Sequence, residues 1–132
     1  MILFCADSTC WIPYLAGESG SDVELIDSHL NNKSLVMCPM VLTELFSQPL
    51  LSDKVKKALL VIPMLELKPE FWERAGNTRN ELLKRKVKPK LAHTLIAQVC
   101  IDYDTPLHAR DTDFRLFAKY VGLRLVLHEL VN

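Results

Sequence analysis

Short apolar runs alternate along the chain with longer segments whose apolar positions recur every three or four residues. Short apolar runs that end at polar residues or proline are typical of strands buried in a sheet. The wider spacing is typical of helices with one apolar face. The pattern therefore predicts strands at residues 2–6, 35–38, 61–65, 106–109 and 123–127, of which 61–65 has the weakest pattern.

Capping signals place helices between these strands. Asp7 and the two hydroxyl residues after it predict a capped helix directly after the first strand, and Pro69 stands at the first-turn position that proline favours. The segment 91–101 is almost entirely apolar, so it must be buried. The helices beyond the first are predicted at residues 23–30, 41–46, 52–60, 69–85, 91–101 and 111–120.

The alternation of strands and helices predicts an α/β fold with a mostly parallel central sheet of about five strands and helices on both faces. A length of 132 residues corresponds to one domain, so we expect a single domain over residues 1–132. A sheet of this kind binds its ligands at the carboxyl ends of its strands. Residues at those ends are therefore the candidates for function.

Composition narrows the class of protein. Apolar residues make up 49% and charged residues 24% of the chain, which excludes a disordered protein. A net charge of zero counts against a protein that coats nucleic acid, because such proteins are usually basic. A metal-dependent nuclease stays possible, because the acids of its site and the bases around it cancel.

Cysteine usage and the amino end predict the compartment. Cys5, Cys10, Cys38 and Cys100 have no metal-finger spacing, so we expect reduced thiols in the core of a cytosolic protein. The amino end lacks the basic segment of a signal peptide, and no apolar run approaches the ~18 residues of a membrane helix. We therefore expect a cytoplasmic protein without a membrane partner.

Acidic residues follow several of the predicted strands. Asp7 comes directly after the first strand, Asp111 follows the strand 106–109, and Glu44 lies about one turn into the helix after the second strand. Crowded carboxylates repel one another unless a cation neutralises them, and Mg²⁺ or Mn²⁺ prefers such oxygen ligands. The spacing therefore indicates a metal site at one edge of the sheet.

A structural role for the same acids is equally compatible with their positions. An aspartate at a helix start is a common N-cap, which contributes about 1 kcal/mol and suits the helix dipole. Glu44 alone could be a solvated helix residue. Position in the sequence leaves both interpretations open.

Three segments together resemble a known family. They are FCADSTCWI, PMVLTELFSQP and LAHTLIAQVCIDYDTPLHARDTDFRLFAKYVGLRLV, and they resemble the PIN domain of VapC toxins from type II toxin–antitoxin systems almost end to end. The resemblance implies a three-layer PIN-type fold and metal-dependent endoribonuclease activity. It also implies Mg²⁺ or Mn²⁺ as cofactor and a small VapB-like antitoxin that blocks the site.

The resemblance also assigns roles to residues. Asp7, Glu44 and Asp111 match the metal-site acids, and Asp113, two positions after Asp111, would be a further catalytic acid. Ser8 stands beside the first acid, where its hydroxyl could hold a water of the metal site or contact the substrate.

His93 departs from the family pattern, which has an acid at this position. It shares a helix face with Ala97 and Cys100, so we expect it to point inward from the first turn. Three interpretations remain open: a substitution that disables the nuclease, a neutral imidazole ligand for Mn²⁺ or Zn²⁺, and a purely structural side chain.

Basic and apolar residues outside the acids suggest partners. Arg110, beside Asp111, is a candidate phosphate contact, and the basic run 84–90 could follow an RNA backbone or be a solvated helix end. Arg85 in this run is a candidate RNA contact. Trp11 and Trp72 could stack bases, but core or dimer-interface positions are expected for both. A homodimer is expected, and apolar residues that border prolines could form a dimer or antitoxin groove; these are Leu45, Phe46, Leu50 and Leu51.

These observations lead to three hypotheses. The first is a Mg²⁺- or Mn²⁺-dependent endoribonuclease toxin that hydrolyses RNA phosphodiester bonds, with a structured RNA such as tRNA as substrate and an activity that His93 could impair. The second is a catalytically inactive PIN module that binds RNA or an antitoxin. The third is a phosphoacceptor domain of the receiver kind. This sequence lacks the acidic pair and the lysine after a late strand that such domains have.

Overall fold

A computed structural model describes residues 3–128 of the chain. Its central sheet contains four parallel strands in the order β2-β1-β3-β4. Residue 2, predicted in the first strand, lies outside the described residues. The parallel sheet between helices confirms the predicted α/β class, with four strands instead of about five. The strands are β1 (Phe4–Ala6), β2 (Leu35–Val36), β3 (Leu107–Ala109) and β4 (Leu125–Leu127).

Helices occupy all the connections between these strands. The first two connect β1 to β2, the next four connect β2 to β3, and a 3₁₀ helix with a final α-helix connects β3 to β4. In chain order they are α1 (Ser8–Leu15), α2 (Ser21–Asn31), α3 (Pro39–Phe46), α4 (Asp53–Val61), α5 (Phe71–Lys84), α6 (Leu91–Asp102), the 3₁₀ helix Thr112–Phe114 and α7 (Arg115–Tyr120).

The strand order creates a switch point between β1 and β3. From β1 the chain crosses to β2 on one side, whereas from β3 it crosses to β4 on the other side. Because such crossovers are right-handed, these connections lie on opposite faces of the sheet and diverge at the carboxyl ends of β1 and β3. The crevice opened by this divergence is where α/β sheets bind their ligands.

The predicted strand 61–65 is not part of the sheet. Val61 ends α4, and the following residues form one isolated parallel bridge, between Met64 and Met37. Met37 donates to the Pro63 carbonyl at 2.8 Å and accepts from the Leu65 N–H at 2.9 Å. The pairing stops there because Pro39 begins α3 only two residues after Met37, so no further strand residues are available.

Two predicted helix boundaries also differ. Glu70 has a left-handed φ of 59°, so α5 begins at Phe71 and Pro69 lies in the preceding turn instead of the first helical turn. The predicted helix 111–120 is divided into a short 3₁₀ helix and α7, with Asp111 as the cap of the first.

The core lies between the sheet and its helices. All four cysteines are buried and free, which confirms the prediction of unpaired core thiols. Trp11 is buried as expected, whereas Trp72 is 60% exposed and is therefore not a core residue. Across residues 3–128, we find no helix with the length and apolarity needed to span a membrane.

Candidate metal centre

Asp7 stands at the carboxyl end of β1 and is buried. Its backbone N–H donates to the His108 carbonyl at 2.8 Å, which fixes it beside β3. One carboxylate oxygen, Oδ2, accepts from the Thr9 N–H at 3.2 Å and from the Thr9 hydroxyl at 2.7 Å. Asp7 is therefore the N-cap of α1, and the capping interaction also orients its carboxylate at the switch point.

Asp111 stands at the corresponding end of β3. Its Oδ1 accepts from the Asp113 N–H at 2.9 Å, which caps the 3₁₀ helix. Its second oxygen, Oδ2, lies 3.2 Å from Nε2 of His93. Asp111 therefore caps the 3₁₀ helix with one carboxylate oxygen and faces His93 with the other.

His93 lies between the two acids of the DxDF segment. Its side chain is only 12% exposed, and its ring contacts that of Phe114 with 4.7 Å between centroids. Nδ1 is 3.7 Å from Oδ2 of Asp113, too far for a hydrogen bond, and has no hydrogen-bond partner. The inward orientation predicted from helical spacing is thus observed, and it directs the imidazole at the acids.

Glu44 on α3 belongs to the same electrostatic cluster. Burial, followed by the negative charge of Asp7, raises the pKa of its carboxyl, and Asp111 acts in the same direction. A hydrogen bond with Ser8 and the proximity of His93 lower that pKa and only partly oppose the shift. One of its oxygens, Oε1, is buried without a hydrogen-bond partner.

This set of side chains has the chemistry of a divalent-cation site. His93, Asp111 and Asp113 each offer one ligand atom, and these atoms lie within 4.8 Å of one another. A buried polar atom left without a partner costs about 1–3 kcal/mol, and the cluster contains two, on Glu44 and His93. A cation among these groups would give Glu44 Oε1 a partner and offset the repulsion between the carboxylates, so the residues fit a metal.

A first prediction concerns Glu44. Because the folded state raises its pKa, the folded protein binds this proton more tightly than the unfolded chain, and its contribution to stability falls as pH rises. In EDTA, Glu44→Gln should therefore unfold at a higher temperature than the parent protein at pH 8, and the difference should shrink at pH 4.5. Thermal unfolding followed by circular dichroism measures this. An equal difference at both pH values would contradict it.

Arg110 forms an ion pair with Asp22, a residue that the sequence did not indicate. Its Nε and Nη2 donate to the two oxygens of Asp22 at 2.6 and 3.0 Å. Burial raises the pKa of Asp22, but the hydrogen bonds and charge of Arg110 outweigh burial and bring that pKa down to about 2. The guanidinium predicted to contact phosphate thus holds α2 against the end of β3, and a phosphate would have to compete with Asp22 for it.

Thr9 is a second missed residue. Its hydroxyl accepts from the Arg110 N–H at 3.0 Å and donates to Asp7, so one side chain connects the ends of β1 and β3. The sequence offers no signal for either contact, because Thr9 and Arg110 are 101 positions apart and Asp22 and Arg110 are 88 apart.

The basic run approaches the acids through Lys90. Its Nζ lies 3.7 Å from Oδ2 of Asp113. Arg85, the predicted RNA contact, caps the end of α5, and its guanidinium packs over the Tyr120 ring at 4.7 Å. Lys90 is therefore the member of the run best placed for a phosphate near the cluster.

The apolar residues predicted as a binding surface differ in their exposure to solvent. Leu45 is fully buried in the core and therefore cannot line a groove, which corrects that part of the prediction. Leu50 is 97% exposed, and together with Leu51 and Ile12 it borders a shallow pocket of about 260 Å³. Phe46 is half-buried against the core.

Comparison with known proteins gives fold-level matches. No protein-family model and no curated relative matches the sequence. VapBC2 from Rickettsia felis, solved with a DNA fragment from its promoter, contains a chain that superposes with a TM-score of 0.75 at 15% identity, covering 97% of this chain and 100% of that one. A chain of DNA-bound VapBC from Salmonella typhimurium superposes with a TM-score of 0.69 at 16% identity, covering 96% of this chain and 98% of that one.

A third match is VapBC-5 from Mycobacterium tuberculosis, with a TM-score of 0.61 at 10% identity over 98% of this chain and 100% of that one. Identities this low establish a shared fold and no more. The chain therefore has the fold found in VapBC toxin–antitoxin structures, the PIN-type fold that its sequence resemblance to VapC toxins predicted.

Proposed function

We propose that this protein is a metal-dependent endoribonuclease of the VapC kind, acting as one domain. The observation that carries the proposal is that Glu44 on α3 lies within the electrostatic reach of Asp7, Asp111 and His93, and its buried Oε1 has no hydrogen-bond partner. A purely structural cluster would pair this oxygen, because leaving it unpaired costs stability. A cation site would keep this oxygen free to bind the ion.

In this proposal Asp7, Glu44 and Asp111 bind Mg²⁺ or Mn²⁺, and Asp113 completes the site. Such an ion supplies the charge that activates water for attack on a phosphodiester and stabilises the transition state. The Thr9 hydroxyl holds the Asp7 carboxylate in position. Ser8 forms its hydrogen bond with Glu44 and so orients the second carboxylate.

The substrate side of the site is basic. Lys90 is within 3.7 Å of Asp113, where its ammonium can hold an RNA phosphate next to the acids. Arg110, next to β3, is held by Asp22, with which a phosphate would compete for the guanidinium. We propose single-stranded segments of a structured RNA such as tRNA as the target, because unstacked bases are the ones proteins can read.

A protein partner is part of the proposal. The three similar structures described above are of VapBC systems, and two of these three are described as bound to DNA. By analogy we propose that a VapB-like antitoxin covers the acids of this chain in the cytoplasm, and that the chain forms a homodimer. Leu50 and the pocket beside it are exposed apolar surface that such contacts could bury.

Cleavage of RNA tests the proposed activity. With Mn²⁺ present, the protein should cut a labelled single-stranded RNA or tRNA, and EDTA should stop the reaction. Asp7→Asn keeps the oxygen that caps α1 but removes one charge, so it should reduce the rate by about 10²-fold or more.

His93→Asp decides between the two leading functions. His93 sits where the family has an acid and already contacts Asp111, an observation that favours the inactive RNA- or antitoxin-binding module as second candidate. If only His93→Asp cuts RNA, this chain is such a module. If neither protein cuts with Mn²⁺ or Mg²⁺, the nuclease proposal is wrong.

A further inference from the structure

We infer that His93 is itself a ligand of the ion, through Nε2, and that it makes this centre select a transition-metal ion such as Mn²⁺, Co²⁺ or Zn²⁺ over Mg²⁺. The inference rests on the proposed metal centre and concerns the residue in which this chain departs from the all-acid family pattern.

The first support is the position of Nε2. It lies 3.2 Å from Oδ2 of Asp111. Two atoms that bind one ion at about 2.1 Å each are separated by about 3.0 Å at a right angle and about 3.4 Å at a tetrahedral angle. The observed separation lies in this interval, so one ion can contact both atoms without rearrangement of either side chain.

The second support is the environment of the other ring nitrogen. A histidine that binds a metal through one nitrogen usually donates its other ring N–H to a carboxylate, a backbone carbonyl or a water, which orients the ring. Nδ1 faces Oδ2 of Asp113 at 3.7 Å, and the Asp113 side chain is 49% exposed, so a small rotation would complete the hydrogen bond. The Nδ1 atom has no other partner.

The third support is the rigidity of the ring. His93 lies in the first turn of α6, is 12% exposed and packs against Phe114. A solvated surface histidine would be free to turn away, whereas this ring is kept facing Asp111. Ligand atoms fixed in advance reduce the entropy lost when an ion binds.

Ion selectivity follows from the donor set. Mg²⁺ binds oxygen ligands almost exclusively and depends on their negative charge, so exchanging a carboxylate for a neutral imidazole weakens its binding. Imidazole suits ions later in the first transition series, whose affinity for nitrogen offsets the lost charge. His93 should therefore shift the ion preference of the centre from Mg²⁺ towards transition-metal ions, while the surrounding acids still contribute to binding.

The test is ion binding by the full chain, free of RNA. Calorimetric titrations with Mg²⁺, Mn²⁺, Co²⁺ and Zn²⁺ should give at least about tenfold tighter binding of Mn²⁺ than of Mg²⁺. Pulsed electron paramagnetic resonance of the Mn²⁺-loaded protein should show coupling to an imidazole ¹⁴N. His93→Asp should lose this coupling and reduce the Mn²⁺/Mg²⁺ affinity ratio by about tenfold.

His93→Asn provides a matched control, because it removes the imidazole without adding charge, and circular dichroism verifies that both variants fold. The coupling in the parent protein is informative even if a variant misfolds. Mn²⁺ binding without ¹⁴N coupling would overturn the role of His93 and leave the metal centre intact. Binding by His93→Asp alone would mean that His93 excludes the ion, which also overturns the inference. No binding by either protein would refute the proposed metal centre itself.

Discussion

Asp111→Asn should reduce RNA cleavage by about 10²- to 10³-fold while the protein stays folded. Asp111 is the acid that lies both at the end of β3 and within 3.2 Å of His93. Asparagine keeps an oxygen that can accept the Asp113 N–H, so the cap of the 3₁₀ helix survives. The substitution therefore removes charge from the centre with little change in shape.

The stability of Asp111→Asn in EDTA should not fall with its activity. Removing one carboxylate relieves repulsion on Glu44, whose pKa Asp111 helps to raise. In EDTA, the variant should unfold at the same temperature as the parent or slightly higher. Added Mn²⁺ should stabilise the parent protein but not the variant, since an ion that binds only the folded state raises its stability.

The measurements are cleavage rates on a labelled RNA and thermal unfolding with and without Mn²⁺. Asp104→Asn is the matched control, because Asp104 is 83% exposed and its φ of 48° is one that asparagine tolerates. It should leave both the rate and the Mn²⁺ effect unchanged. Cleavage by Asp111→Asn within a factor of about three of the parent rate would remove Asp111 from the chemistry.

Asp22→Asn should have the largest effect on stability, lowering the free energy of unfolding by about 3 kcal/mol. Its carboxylate is buried and accepts two hydrogen bonds from Arg110. Asparagine replaces one acceptor oxygen with an NH₂ donor and carries no charge, so the Arg110 guanidinium loses one of the two contacts and its counter-charge in a site that is mostly shielded from water. Urea unfolding at pH 7 measures the loss.

The same pair predicts a pH dependence. Because the pKa of Asp22 is lowered to about 2 in the fold, the unfolded chain binds this proton more readily than the folded protein. The stabilisation is present above the unfolded pKa, near 4, and is lost as pH falls from about 4 towards 2. About 2 kcal/mol should disappear over this interval in the parent protein, and this part of the loss should be missing in Asp22→Asn.

Glu24→Gln is the matched control for Asp22→Asn. Both residues are acids in the first turn of α2, but Glu24 is exposed, so the control separates the helix-dipole contribution from the ion pair. It should cost no more than about 0.5 kcal/mol. If the two variants lose equal stability, the contact with Arg110 is not the cause. Gly20 lies against the pair, where a Cβ would be 2.7 Å from Asp22 Oδ1, so it should not be used as a further control.

The pattern of apolar and polar residues was sufficient to predict the type and order of most helices and strands. Four of the five predicted apolar runs contain a strand of the sheet, because burial and strand termination at polar residues or proline are local consequences of residue type. The segment 61–65 failed because strand formation needs a partner with free backbone groups. Met37 offered one residue of pairing before Pro39 began α3.

The candidate site was predictable for a similar reason. Asp7 and Asp111 immediately follow strands, and parallel strands end at the same edge of a sheet, so local position places both at that edge. That they stand on neighbouring strands depends on the pairing of β1 with β3. The inward direction of His93 followed from its spacing to Ala97 and Cys100. The metal-binding roles of these residues stay predictions.

Sequence alone thus determined the α/β class, the buried thiols and the acids that end up at the strand ends, because these depend on local periodicity and capping. Only the tertiary structure decided that Asp22 pairs with Arg110, that Thr9 joins the ends of β1 and β3, and that Lys90 instead of Arg85 approaches the acids. Those contacts join residues that are distant along the chain. Their partners are fixed by the strand order β2-β1-β3-β4, which no local pattern encodes.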